Sequence, residues 1–125
     1  MRESKLWSWH ILTAVIILVL LGIHMGIMHL GAILNALGIG PGEAVQSANV
    51  FRRSQQFFFM VTYILLLGAA LFHGLYGLRS ILCELSFSRT LEKAIGGLCA
   101  VAGLCLFVYG SYVAIALFQM KGVQP

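Results

Sequence analysis

Four histidines and one arginine are the side chains in this sequence whose placement suggests chemistry. His24 and His29 fall inside a first long apolar run and His73 inside a second, while His10 sits at the edge of the first. An ionisable group at membrane depth is costly and marks a functional site by default. No Asp, Glu or Lys lies near the middle of any apolar run; Glu3, Glu43, Glu84 and Glu92 are all at ends or in connections. A proton-coupled transporter wants a buried carboxylate, so imidazoles without carboxylates suit a metal better, and the metal carrier suited to a bilayer is haem. The plainer alternative is that each histidine only hydrogen-bonds a neighbouring helix.

The setting of His73 separates it from the others. It reads Phe72-His73-Gly74-Leu75-Tyr76-Gly77-Leu78-Arg79, with Glu84 following. Gly74 and Gly77 remove side chains beside His73, which lets a flat macrocycle or another helix come close. Arg79 is six residues on, roughly 9 Å along a helix axis, where it suits a propionate, a quinone headgroup or a lipid headgroup. Cys83, Cys99 and Cys105 show no metal-ligand spacing and read as small apolar residues.

The elements that must carry these residues are three membrane-spanning helices. Of 125 residues, 60% are apolar and 10% charged, with a mean hydropathy of +0.95. So few charges do not cover a water-facing surface, and lipid must be the solvent. The net charge of +4 reflects basic residues at the ends of apolar runs and does not imply nucleic acid. The spacing predicts helices at about residues 6–37, 57–84 and 94–120 in one all-α transmembrane domain, 1–125. Each exceeds the roughly 20 residues needed to cross about 30 Å of hydrocarbon. Gly38 to Gly42 must break the first helix, and the polar stretch Glu43 to Gln56 is expected to hold a short surface helix. The N-terminal run is too long for a cleavable signal and lacks a small-residue cleavage site. Arg2, Lys5, Arg79, Arg89 and Lys93 on one side, against Arg52, Arg53 and Lys121, favour an N-terminus inside the cell membrane. Trp7 and Trp9 fit an interfacial aromatic belt.

The pattern His73-x3-Gly77-x-Arg79-x4-Glu84 resembles the second transmembrane helix of the cytochrome b anchor subunits of succinate dehydrogenase and fumarate reductase. There the histidine is an axial ligand of haem b. The first helix resembles the di-haem branch of that family: His10 near the inner edge is followed by the His-x4-His pair His24 and His29, and in those relatives the first of the pair ligates the haem nearer the outer face. The resemblance covers about Trp9 to Glu84, and the third helix matches only as an apolar span. It implies a subunit of a haem-binding helix bundle that docks flavoprotein and iron–sulfur subunits on the inner face. It further implies a second anchor subunit and electron transfer to menaquinone or ubiquinone, with no succinate chemistry on this chain. His73 and His24 are then the iron ligands, with His29 ranked behind them, and His10, Ser8 and Arg79 lie toward an inner quinone pocket. Where relatives carry an arginine on the first helix this chain has Ile11, and Leu85 replaces a tyrosine, which implies that the quinone pocket belongs mainly to the partner.

Depth bears on the number of haems. Counted from the span centres, His24 lies roughly 5 Å to the outer side and His73 roughly 7 Å to the inner, about 12 Å apart. Axial ligands of one iron stand only about 4 Å apart, so two haems, each sharing a ligand with the second anchor, follow; a single haem at His73 is the smaller alternative. Two rival functions are a b-type cytochrome subunit of another quinone-linked enzyme and a non-redox membrane scaffold.

Overall fold

The computed structural model describes residues 2–38, 52–85 and 88–120, and these form three long helices: α1, Arg2–Ala36; α2, Phe57–Glu84; and α3, Arg89–Gln119. All three are long and apolar enough to cross a membrane. The proposed surface helix at Glu43 to Gln56 lies largely outside the described residues.

Local chemistry sets the ends. Gly38, with a φ of 72°, takes the left-handed conformation in the turn after α1, and its N–H bonds the Asn35 carbonyl at 3.0 Å. That conformation is open to glycine at no steric cost. Ser88 caps α3 by accepting from the Leu91 N–H at 3.4 Å, and Glu92 occupies the first turn, where its charge complements the helix dipole. With this cap α3 begins at Arg89, five residues before the start that hydropathy suggests, because Arg89 and Lys93 are tolerated in an exposed first turn. α1 runs 35 residues, roughly 52 Å, so its first turns stand clear of a hydrocarbon layer of about 30 Å.

The helices lie in a row. α1 packs on α2 and α2 on α3, with no comparable contact between α1 and α3 among the described residues. His10 packs on His73 and His24 on Tyr63, so α1 and α2 run antiparallel, and the short connection between Glu84 and Arg89 turns α3 back along α2; the N-terminus, the end of α2 and the start of α3 thus share one face. At the opposite face the Gln55 side-chain amide donates to the Met120 carbonyl at 2.8 Å, tying the start of α2 to the end of α3. Ala69, midway along α2, is the one buried apolar residue among the described residues. Nearly all the remaining apolar surface faces outward, as lipid or another subunit requires.

The candidate haem seam and the α2–α3 groove

The α1–α2 seam carries the ring chemistry. His10 and His73 stack face to face, centroids 4.1 Å apart and planes 1° from parallel. Tyr76, one turn beyond His73, leans on His10 at 5.1 Å. Gly77 faces the same ring, and a Cβ there would meet it at 3.5 Å, an ordinary contact. His73 Nδ1 lies 3.2 Å from the backbone carbonyl of His10. A carbonyl only accepts, so this hydrogen bond requires the proton on Nδ1 and leaves Nε2 of a neutral His73 with its lone pair. Metal-ligating histidines are held in this way, with the far ring nitrogen donating to a carbonyl that fixes tautomer and orientation. The same carbonyl accepts from the buried Thr13 hydroxyl at 2.9 Å. Beside His73, a Cβ on Gly74 would meet nothing within 4 Å, so space is open there. His10 Nδ1 is buried with no hydrogen-bond partner, and such an orphan costs about 1–3 kcal/mol.

The rings of His10 and His73 overlie too closely to admit a macrocycle between them. They are not the two axial ligands of one haem.

His24 stands further along the same seam, half-buried, its ring edge-on to Tyr63 at 5.8 Å. Arg53, Thr62 and Phe59 line a narrow cleft beside it. His24 is fourteen residues beyond His10 on α1, and Tyr63 ten before His73 on α2, which spaces the two histidine sites by roughly 15–21 Å. The separation exceeds the 12 Å counted from span centres, because α1 enters the seam at His10, level with His73, well before its own midpoint. His29 is exposed. Gly22 and Gly26, which share its face and read as a close helix contact, face open space among the described residues: a Cβ added at either would meet nothing within 4 Å. Ser8 is exposed and donates to the Ser4 carbonyl of its own helix at 2.9 Å.

Arg79 is on the other side of α2, its Nε 3.1 Å from where a Cβ of Gly96 on α3 would lie. It lines a groove of about 500 Å³ between α2 and α3 with Leu71, Leu75, Cys99, Ala100 and Phe107, among others. Sequence reasoning singled out His73, His24 and Arg79 but missed Tyr76, Tyr63, Thr13 and this groove. Tyr76 and Thr13 each fall one helical turn from a singled-out histidine, and that spacing was the available signal.

A row of three helices long and apolar enough to cross a membrane, with histidines in one of its seams, defines a class: a multi-pass membrane protein. The chain belongs to the family described as succinate dehydrogenase/fumarate reductase transmembrane subunit, matched over residues 2–109. It is similar to the succinate dehydrogenase hydrophobic membrane anchor subunit of Archaeoglobus fulgidus (strain ATCC 49558 / DSM 4304 / JCM 9628 / NBRC 100126 / VC-16), 28% identical over 115 residues that cover 92% of this chain and 91% of the relative. No solved structure matches. Among the described residues no three His, Cys, Asp or Glu side chains converge into a metal site.

Proposed function

We propose that this anchor binds haem b through His73 Nε2 and links a docked iron–sulfur subunit to membrane quinone. The observation that carries the reading is the His73 Nδ1 to His10 carbonyl hydrogen bond at 3.2 Å. It leaves Nε2 as the ligating atom and orients the ring before any metal arrives. An imidazole nitrogen with a free lone pair would suit ligation of a b-type haem, and the neighbouring Gly74 adds no side chain to crowd it. When bound, the haem would carry single electrons between the iron–sulfur subunit and quinone. The His10 carbonyl holds the proton on His73 Nδ1, Thr13 fixes that carbonyl, and the apolar walls exclude water.

His24, held by Tyr63, supplies the ligand of a second haem toward the opposite face. With His10 stacked flat on His73, the second ligand of each haem would come from a second anchor subunit. The open face of α1 at Gly22, Gly26 and His29 suits the close approach of such a helix. The buried, unpartnered Nδ1 of His10 suits a quinone oxygen or a water leading to it; Ser8 stands near that face. Flavoprotein and iron–sulfur subunits dock on the N-terminal face, and the positive-inside count favours the cytoplasmic side of the cell membrane for it.

The test is a dithionite-reduced minus oxidised absorption spectrum of the purified complex with pyridine-haemochrome quantitation. Two haems b per chain are expected, one of them absent in His73→Ala. One haem reduces the reading to His73, and a colourless complex overturns the ligand assignments and leaves an anchor without redox groups.

A further inference from the structure

The α2–α3 groove opens on the side of α2 away from His73, with Tyr76, which leans on His10, as the residue the two sites share. Its walls are almost entirely apolar, and no histidine lines it, so it offers no imidazole nitrogen to a haem iron. Glycines at Gly68, Gly96 and Gly103 hollow it out. Its single charged side chain is Arg79, at the end toward the N-terminal face. Arg79 makes no hydrogen bond or ion pair to any other described residue.

Length identifies the occupant. From Gly68 to Arg79 the groove runs eleven residues along α2, roughly 16 Å. Half of a hydrocarbon layer of about 30 Å is about 15 Å. The groove therefore begins at the headgroup level, with the guanidinium, and ends at the bilayer midplane, against Phe107. It matches one leaflet-deep acyl chain with an anion at its head. A neutral quinone headgroup leaves the guanidinium charge uncompensated, whereas a phosphate accepts a forked pair of hydrogen bonds from it.

We infer that this groove is a binding site for an anionic phospholipid of the leaflet on the N-terminal face, its phosphate on Arg79 and one acyl chain between α2 and α3. The site is independent of the haem reading and holds whether or not the complex is coloured.

Native mass spectrometry of the detergent-purified complex, titrated with phosphatidylglycerol or with phosphatidylcholine of the same acyl chains, tests it. Phosphatidylglycerol is expected to be retained in preference, and Arg79→Gln to reduce that preference about tenfold, the scale of one charge-assisted hydrogen bond. Ala100→Phe fills the groove and is expected to remove one retained lipid of either headgroup while the subunits stay together. Equal retention of the two lipids by the unaltered complex overturns the site. So does a preference unchanged in Arg79→Gln, extraction of a quinone in place of the displaced lipid, or loss of a protein subunit in Ala100→Phe.

Discussion

The two seams that α2 makes are built on opposite principles. Against α1 it presents His73 and Tyr76, which meet His10 ring to ring, and Tyr63, which meets His24. Against α3 it presents Leu67, Leu75 and Gly68, which meet Gly110, Gly103 and Phe107. The first seam fixes the rotation of α1 through directional ring and hydrogen-bond contacts. The second gains its attraction from close approach, the usual source of helix association where lipid tails remove any hydrophobic drive. A single helix thus separates chemistry from packing by facing them in different directions.

The contrast can be broken most forcefully at Gly110. A Cβ there would collide with the end of the Leu67 side chain, and Gly110→Leu adds three more carbons beyond that Cβ. Overpacking of this kind costs about 1–3 kcal/mol, and thermal unfolding of the solubilised complex should show the loss. Gly74→Ala on the same central helix, where nothing lies within 4 Å, should leave the melting curve unmoved. A drop there would show that the face beside His73 is filled by another group at close range.

Smaller effects sharpen the other seam. His10→Ala removes the stack on His73 but keeps the carbonyl, so haem content should persist while about 0.5–1.5 kcal/mol of ring contact is lost. His10→Phe should recover most of that stability, as followed by melting and by the pyridine-haemochrome yield. If His10→Ala empties the site, the ring and not the carbonyl holds His73. The smallest change is expected in Ser8→Ala, within about 0.5 kcal/mol, because the hydroxyl bonds only its own helix. A raised KM for quinone in that variant would instead bring Ser8 into the quinone pocket.

The helices were legible in the sequence because hydropathy reports burial in lipid, and His73 stood out because an intramembrane imidazole is conspicuous. Hydropathy does not report rotation about a helix axis. Every face of α2 is apolar, so nothing along the chain says that His73 turns to α1 while Arg79 turns to α3. The same blindness hid the groove, whose glycines matter only once they align with Leu75 and Arg79 across the seam. Depth was misjudged for a related reason. Counting from span centres assumes each helix is centred in the bilayer, and α1, at 35 residues, is longer than the layer it crosses.

The acceptor that holds His73 is the main chain of position 10, and that has an evolutionary consequence. A point substitution can delete a side-chain partner, but it leaves a carbonyl where the helix puts it. The hydrogen bond that orients His73 therefore sets no requirement on the side chain at position 10 beyond keeping α1 in register; what the His10 ring adds is the stack on His73. Identity scores count such a position as divergence, although the function it performs is written in the backbone and is immune to the genetic code.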